Sequence, residues 1–309
     1  MKCATRESYG KALAEAGKKY PNLVVMDADL SKSTKTDTFK KEFPERFINT
    51  GIAEGNMMAT AAGLALSGKI VFASSFAMFA AGRAFEQIRN SIAHMEVNVK
   101  IGATHAGISV GEDGATHQCL EDIALMRSLP GMVIINPADD VEARAAVMAA
   151  CAHEGPVYLR FGRLAVEDIN DENYQFELGK GVLLKDGTDI TLIGTGLMVR
   201  ETLQAAEILE AEGISARVIN IHTIKPIDRD IIEKAARETK GIVTAEEHNI
   251  IGGGGSAVAE VVAETCPTRI ERIGTRDKFG KSGKPAELLE EYEMTAKHIA
   301  EKARLILRG

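Results

Sequence analysis

"FINTGIAEGNMMATAAGLALSG", from Phe47 to Gly68, contains one charged side chain, Glu54. Residues 56–67 are almost entirely Ala, Gly, Leu, Met and Thr. A helix with so little polar surface must be buried on all sides or pressed against another helix whose backbone comes close. Because desolvating a carboxylate is costly, Glu54 is either a helix N-terminal carboxylate favoured by the helix dipole or a functional acid.

Around this stretch, short β-branched segments alternate with Ala-rich helical segments. The strand-like segments include "NLVVMDA", "KIVFASS", "VKIGATH", "MVIINPA" and "VYLRFG". A second alternating series runs from "DITLIGTG" to "TRIERIG", after an acidic, turn-rich segment. This alternation predicts α/β architecture with mostly parallel sheets covered on both faces. We expect two doubly wound domains, residues 1–165 and 186–309, joined by a linker at 166–185.

Composition limits the classes of function. The chain has 309 residues, 45% of them hydrophobic, and a net charge of −7, so broad nucleic-acid binding is not expected and an anionic ligand would need a local cluster of cations. The N-terminus does not resemble a signal peptide and no apolar run is long enough to span a membrane. The cysteines are far apart, which favours a reducing cytoplasm over a disulfide or zinc framework; they are Cys3, Cys119, Cys151 and Cys266.

Two glycine motifs lie in the second half of the chain. Gly194-Thr195-Gly196 follows a strand, but Val199 stands where a dinucleotide fingerprint needs its third glycine. A strand-to-helix turn is the simpler interpretation. The run Gly252–Gly255 could present backbone N–H groups to an anion at a helix start, or could simply form a tight helix entry.

"THAGISVGEDGATHQ", from Thr104 to Gln118, combines two His, one Glu and one Asp with several Gly. Loops at the end of a parallel strand are where open α/β sheets bind ligands. His105 and His117 lack the short helical spacing of metal motifs, so polar recognition of a hydroxylated substrate fits better. Arg160 closes the next strand, "VYLRFGR", and is expected at the same sheet edge or as a surface charge.

Taken together, "GIAEGNMMATAAGLALSG", "SSFAMF", "THAGISVGEDGATHQ" and "VYLRFGR" resemble the pyrimidine-binding domain of transketolases. The remainder, including "KSGKPAELLEEYEMT" at Lys281–Thr295, resembles the transketolase C-terminal domain. The resemblance covers essentially the whole chain. It implies a transferase that moves a two-carbon ketol unit between sugar phosphates of the pentose phosphate pathway.

The sequence contains no "GDG", the motif with which thiamine enzymes begin their diphosphate and metal site. The resemblance therefore implies the C-terminal subunit of a split transketolase. A separate N-terminal subunit would hold the diphosphate of thiamine diphosphate and Mg²⁺ or another divalent metal, and this chain would supply no metal ligand. We expect a cytoplasmic α2β2 heterotetramer.

The resemblance also implies residue roles. Glu54 matches the glutamate that hydrogen-bonds a ring nitrogen of the cofactor's aminopyrimidine and activates the cofactor. Further cofactor contacts match Phe76 and Phe79, against the pyrimidine ring, and Asp29, near the thiazolium ring. Asp113 and His117 match residues that contact the sugar's hydroxyl and carbonyl oxygens. The substrate phosphate is expected to bind Arg6, Ser33, His105 and Arg160.

One position departs from the family pattern. Gly82 stands where many transketolases have a third aromatic residue, a tyrosine.

Three other functions stay open. 1-Deoxyxylulose-5-phosphate synthase typically lacks the histidine found here as His105. The beta subunit of 2-oxo-acid dehydrogenases does not usually combine "GEDGATHQ" with this phosphate-binding set. A non-catalytic paralogue is the third alternative.

Overall fold

The computed structural model describes residues 2–171 and 173–308, which form sheets of seven, five and two strands. The strands of the large sheet are β2 (Leu23–Asp27), β3 (Phe47–Asn49), β4 (Ile70–Phe76), β5 (Val99–Thr104), β6 (Val133–Ile135), β7 (Val157–Arg160) and β12 (Thr223–Lys225). Their order is β12–β6–β7–β5–β4–β2–β3. All neighbours are parallel except β12, which is antiparallel to β6.

The second sheet has the order β14–β13–β10–β11–β9. Its strands are β9 (Val182–Lys185), β10 (Ile190–Gly194), β11 (Ala216–Asn220), β13 (Ile242–Asn249) and β14 (Ile270–Thr275). Only β9 is antiparallel to its neighbour. The third sheet is the antiparallel pair β1 (Lys2–Ala4) and β8 (Ala165–Glu167). The predicted α/β class with mostly parallel sheets is confirmed.

Twelve α-helical segments connect these strands in the described part of the chain. They are α1 (Thr5–Lys19), α2 (Ser31–Thr34), α3 (Asp37–Glu42), α4 (Glu54–Leu66), α5 (Phe85–Gln87), α6 (Asp122–Arg127), α7 (Asp140–Ala152), α8 (Met198–Glu210), α9 (Arg229–Glu238), α10 (Gly254–Glu264), α11 (Pro285–Glu291) and α12 (Ala296–Leu307). Short π-helical turns occupy Met78–Arg83 and Ile88–Ala93, and 3₁₀ turns occupy Pro44–Arg46 and Ile108–Asp113.

The large sheet is buried on both faces because successive strand residues point to opposite sides. Val24 and Met26 of β2 belong to the hydrophobic cluster that includes Met57 and Met58 of α4. Leu23 and Val25, one position out of phase, pack in the cluster formed with α1 and α7. Neither face can bury its apolar side chains without helices on that side, so the doubly wound arrangement follows from this alternation.

Helix α4 is less enclosed than its composition predicts. Met57 and Met58 are fully buried, whereas Ala59, Gly63 and Leu66 on another face are exposed. A Cβ placed on Gly63 would meet nothing within 4 Å. The isolated chain therefore leaves one small-residue face of α4 without a neighbour.

The division between the two halves of the chain is not sharp, because the second half contributes a strand to the first sheet. Strand β12 belongs to the second alternating series but hydrogen-bonds to β6 in the first sheet. Strand β9 lies within residues 166–185, interpreted from sequence as a linker, and forms an edge of the second sheet. The exact domain boundaries stay a prediction.

A buried carboxylate joins three segments at this junction. Glu142 on α7 is fully buried. Its side chain accepts hydrogen bonds from Ala138 N at 2.7 Å, Tyr174 Oη at 2.5 Å and Asn220 Nδ2 at 2.9 Å. Desolvation outweighs these donors and raises the pKa of Glu142 to about 7.

This pKa predicts how Glu142 affects stability. Between its ordinary pKa of 4.5 and the folded value of about 7, the folded state holds a proton that the unfolded state has lost. The contribution of Glu142 to the free energy of unfolding therefore falls as pH rises, by on the order of 2 kcal/mol across that window. The difference in free energy of unfolding between the wild type and Glu142→Gln, measured by urea unfolding, should therefore decrease from about pH 5 to about pH 7.5, because the other titrating groups are common to both proteins. Equal pH dependence in the two proteins would contradict the prediction.

In the described residues, no helix is both long enough and apolar enough to cross a membrane.

Candidate functional site

The predicted site residues lie at the carboxyl edge of neighbouring strands in the large sheet. Asp29 follows β2, Phe76 ends β4, His105 follows β5 and Arg160 ends β7. Asp29 (φ 65°) and His105 (φ 57°) adopt left-handed backbone conformations, which are uncommon outside glycine. Such strain often occurs at functional sites, where the surrounding structure holds it in place.

Glu54 is the first residue of α4 and its side chain is 1% exposed. Ser75 Oγ, on β4, donates to Glu54 Oε1 at 3.2 Å. Arg83 Nη1 donates to Glu54 Oε2 at 2.8 Å. An ionised carboxylate has about four lone-pair sites, so Glu54 is desolvated and still has acceptor capacity for a ligand.

Four rings form a continuous wall beside this carboxylate. Phe76 and Phe79 stack with their ring centroids 5.7 Å apart. Phe76 also stacks on His105, at 3.8 Å, while His117 meets Phe79 edge-on at 5.3 Å. Because the Arg83 guanidinium bonds to Glu54 and lies over the Phe79 ring, the stacked rings connect the Glu54 region to the region around His105.

Other side chains fill the space of the aromatic residue that is absent at position 82. A Cβ on Gly82 would overlap Met78 Cε, so the methionine takes up this space. The Arg83 guanidinium carbon lies 4.6 Å from the centroid of the Phe79 ring. Met78 and Arg83 thus cover the position for which the family pattern predicts a third aromatic ring.

Arg6, Ser33 and His105 come together as predicted for an anion site, although Ser33 takes part through its backbone. Arg6 Nη1 lies 3.0 Å from His105 Nε2 and 3.0 Å from the Ser33 carbonyl oxygen. Because a guanidinium only donates, Nε2 must accept, so Nδ1 carries the proton and donates to Thr104 Oγ1 at 2.9 Å. Burial, followed by the nearby cations Arg6 and Arg163, lowers the pKa of His105 to about 3. His105 is therefore neutral at neutral pH, not an imidazolium.

Arg163, which the sequence interpretation did not select, acts electrostatically on Arg6 and His105. Its Nη1 donates to the Val110 carbonyl oxygen and, at 3.1 Å, to Glu112 Oε2. Its charge acts on both Arg6 and His105, lowering the pKa of each after the larger effect of burial. The signal was present in "VYLRFGR": the second arginine stands beyond the end of β7, where a side chain can leave the sheet.

Arg160, three residues earlier, is engaged elsewhere. It is 3% exposed, and its Nε donates to Asp122 Oδ2 at 2.8 Å. Its Nη2 donates to the carbonyl oxygens of Glu247, at 2.9 Å, and Cys119, at 3.3 Å. Burial opposes the charge of Arg160, but Asp122 raises its pKa overall. Arg160 is thus neither a surface charge nor grouped with Arg6 and His105; it joins the two halves of the chain.

The remaining predicted residues lie at the rim. Asp29 is exposed, and its carboxylate accepts from Asn49 Nδ2 at 3.0 Å. Asp113 is exposed at the end of the 3₁₀ turn Ile108–Asp113. His117 is half-buried, with its Nδ1 2.9 Å from Thr116 Oγ1. His117 thus lies against the ring wall, whereas Asp29 and Asp113 are exposed to solvent.

The Gly-rich segment Thr104–Gln118 is held by the second half of the chain. Gln118 Nε2 donates to the Lys281 carbonyl oxygen at 2.9 Å and to the Ile108 carbonyl oxygen at 3.1 Å. Ser109 N donates to the buried Glu247 carboxylate. The loop is therefore positioned by contacts more than a hundred residues away in sequence.

The two glycine motifs of the second half serve the fold. Gly196, at φ 57°, is so close to Asn136 that a Cβ would lie 2.6 Å from Asn136 Nδ2. In the other motif, Gly254 N and Gly255 N donate to the Glu246 carboxylate at 2.6 and 2.9 Å. The anion at the start of α10 is thus the chain's own Glu246. Within residues 2–171 and 173–308, no group of three or more His, Cys, Asp or Glu could hold a metal ion.

Comparison with known proteins identifies the family. Residues 1–168 match the family model of the transketolase pyrimidine-binding domain, and residues 179–299 match that of the transketolase C-terminal domain. The chain belongs to the transketolase family. The resemblance predicted from the sequence motifs is confirmed.

Three relatives of this transketolase-family chain are informative. A protein of Methanocaldococcus jannaschii named as a transketolase C-terminal section is 54% identical, over 96% of this chain and 94% of its own. A 6-deoxy-6-sulfo-D-fructose transketolase subunit of Clostridium sp. (strain MSTE9) is 43% identical, over 96% of this chain and 92% of its own. A solved split-gene transketolase, described as an inactive β4 tetramer, is 53% identical with a TM-score of 0.93 and 99% of each chain covered.

Proposed function

We propose that this chain is the C-terminal subunit of a two-chain, thiamine-diphosphate-dependent transketolase that transfers a two-carbon ketol unit between sugar phosphates. The observation that carries the proposal is one continuous series of contacts. Arg83 bonds to Glu54 and lies over the ring of Phe79. Phe79 stacks on Phe76, Phe76 stacks on His105, and His105 bonds to Arg6. The buried Glu54 carboxylate and the Arg6 guanidinium thereby lie at the two ends of one row of stacked rings.

The residues present fit the aminopyrimidine end of thiamine diphosphate. Glu54 supplies a buried acceptor for a ring nitrogen, and Phe76 and Phe79 supply flat apolar surface for the ring. Asp29 lies at the exposed rim, in the place proposed for a contact near the thiazolium ring. When bound, this cofactor supplies the carbon nucleophile and electron sink that protein side chains lack. Exclusion of water around Glu54 strengthens its contact with the ring, because electrostatic interactions increase as the local dielectric falls.

The cations beside His105 suit the terminal phosphate of a sugar. Arg6 and Arg163 can donate charge-assisted hydrogen bonds to a phosphate dianion. Neutral His105 carries its proton on Nδ1, so Nε2 accepts from Arg6 and orients that guanidinium. Ser33 holds the same guanidinium through its carbonyl oxygen. We assign phosphate binding to Arg6, Arg163, His105 and Ser33, in place of Arg160.

Asp113 and His117 lie between these two regions in the proposed complex. His117 meets the Phe79 ring edge-on, and Asp113 is exposed four residues earlier in the same loop. Both carry groups that can bond to sugar hydroxyl and carbonyl oxygens. His117 is also placed to hold or release a proton at the carbonyl oxygen during carbon–carbon bond cleavage.

The proposed partner is an N-terminal subunit that holds the cofactor's diphosphate and Mg²⁺ or another divalent metal. The exposed small-residue face of α4, next to Glu54, offers a surface on which subunits can pack closely. The relative described as a β4 tetramer supports self-association of this type of chain. An α2β2 assembly, a cytoplasmic location and the pentose phosphate pathway stay predictions.

Reconstitution tests the proposed function. The chain alone should be inactive, whereas addition of an N-terminal subunit with a GDG…N motif, thiamine diphosphate and Mg²⁺ should give ketol transfer from xylulose 5-phosphate to ribose 5-phosphate. Consumption of pyruvate with release of CO₂ would instead establish the synthase or dehydrogenase function. No activity with either substrate set, despite stable assembly, would favour a non-catalytic paralogue. The 6-sulfo sugar named for the Clostridium relative is a useful second substrate for the same assay.

Replacement of Arg163 by Met should weaken phosphate recognition. We expect the KM for a sugar phosphate to rise roughly 10- to 100-fold, because one charge-assisted hydrogen bond is lost. The KM for erythrulose, a ketose without phosphate, should change little. Arg237→Met is the matched control, since Arg237 lies exposed on α9 and pairs with Glu233. Equal effects of Arg163→Met on the KM of both substrates would show that Arg163 does not bind the substrate phosphate.

A further inference from the structure

Arg83 makes two contacts that together resemble those of a bound ligand. Its Nη1 donates to Glu54 Oε2 at 2.8 Å, and its guanidinium carbon lies 4.6 Å from the centroid of the Phe79 ring. The Glu54 side chain is 1% exposed, whereas the Arg83 side chain is 52% exposed. The arginine thus reaches from the surface into a buried carboxylate across an aromatic face.

A guanidinium and an aminopyrimidine share the features that a site formed by Glu54 and Phe79 would bind. Both are flat and rich in nitrogen, both stack on aromatic rings, and both can donate a hydrogen bond to a carboxylate. The proposed function assigns Glu54 and Phe79 to the aminopyrimidine of thiamine diphosphate. In the free chain, Arg83 occupies both of these partners.

We propose that Arg83 is a built-in occupant of the pyrimidine subsite: its guanidinium fills the subsite in the free chain and is displaced when the cofactor's ring binds. This inference rests on the proposed function. Without a counter-charge, the buried Glu54 carboxylate would be unpaired, which is costly in a folded protein. Because half of the Arg83 side chain is already in solvent, the guanidinium can leave without displacing any other group from the core.

The physical consequence is competition. The cofactor binds only the fraction of molecules in which Arg83 has left the subsite, so its apparent Kd is higher than the intrinsic one. Glu54 is buried, but the Arg83 side chain is 52% exposed, so solvent screens the pair and its strength is modest. Removal of Arg83 should tighten cofactor binding by a modest factor, while making the free chain less stable.

The first test is a double-mutant cycle on the free chain. The wild type, Arg83→Met, Glu54→Gln and the double variant are compared by urea unfolding. Arg83→Met should destabilise the wild type, because it leaves a buried charge unpaired, and should have a smaller effect when residue 54 is already glutamine. Additive effects would show that the two residues do not interact and would overturn the inference.

The second test titrates thiamine diphosphate, with Mg²⁺, into the reconstituted complex by calorimetry. We expect Arg83→Met to lower the apparent Kd roughly threefold to tenfold. Arg83→Lys, which keeps the charge but loses the planar fork, should fall between Arg83→Met and the wild type. Arg89→Met is the matched control, because Arg89 is exposed in the next helical turn and bonds to Asn90; its Kd should equal that of the wild type.

An unchanged or higher Kd for Arg83→Met would overturn the inference while leaving the proposed function intact. Failure of the wild-type complex and all variants to bind thiamine diphosphate would instead overturn the proposed function, and this inference with it.

Discussion

Replacement of Glu54 by glutamine should lower turnover of the reconstituted enzyme by about 10³-fold, the scale expected for loss of an acid–base group. Glutamine has nearly the same shape as glutamate and can still accept from Ser75 Oγ. It has no negative charge, however, and cannot hold a proton or favour the protonated form of a bound ring nitrogen. The effect should appear in turnover at saturating sugar phosphate, because Glu54 is not among the residues assigned to phosphate binding.

The fold should survive this substitution, which makes the result interpretable. Removal of a carboxylate from a site that is 1% exposed lowers the desolvation cost, although Arg83 loses its anionic partner. Glu86→Gln is the matched control, since Glu86 is an exposed carboxylate on α5. Circular dichroism and urea unfolding of the free chain should be close to wild type for both variants. Turnover of Glu54→Gln within a fewfold of wild type would exclude Glu54 from the mechanism.

Replacement of Arg160 by methionine should cause the largest loss of stability, about 3–5 kcal/mol, as expected when one partner of a buried ion pair is removed. The Asp122 carboxylate, 0% exposed, would keep only its neutral partners, such as Tyr158 Oη at 2.9 Å. The carbonyl oxygen of Glu247 would also lose a donor. Urea unfolding of the free chain measures this loss.

Two further variants separate this structural role from substrate binding. Asp122→Asn combined with Arg160→Met should be more stable than Arg160→Met alone, because no unpaired charge remains in the interior. Arg160→Lys should retain enough stability for kinetics and should leave the KM for a sugar phosphate near the wild-type value. A large rise of that KM in Arg160→Lys, at unchanged stability, would show that Arg160 takes part in phosphate binding.

Most of the candidate site residues were selected through the family resemblance, and the order of strands predicted one sheet edge for His105 and Arg160. Asp29, Phe76 and His105 lie at or just after the carboxyl ends of β2, β4 and β5, which parallel strands bring to one edge. The choice between Arg160 and Arg163 could not be made in this way. Both stand in the same short motif and both are paired with a carboxylate, but only the pair of Arg160 with Asp122, 38 residues away in sequence, is buried, whereas the pair of Arg163 with Glu112 is partly exposed.

The sequence did not indicate the role of Arg83 either. The sequence indicated the glycine at position 82 and the missing aromatic ring, but it gave no reason to assign a role to Arg83. Its importance depends on a 2.8 Å contact with Glu54, a residue 29 positions away. The π-helical turn Met78–Arg83 sets the direction of its side chain, and local propensity carries little signal for such turns.

The sequence by itself determined the α/β class, the family and the buried acid at the start of α4. These follow from periodic apolar patterns and from motifs whose residues are close together in the chain. The tertiary structure alone decided that Arg160 is buried in an ion pair with Asp122, that Arg83 covers Glu54, and that β12 completes the first sheet. The physical reason is that charge pairing and hydrogen bonding depend on distances of a few ångströms between residues distant in sequence, and these distances exist only after the chain has folded.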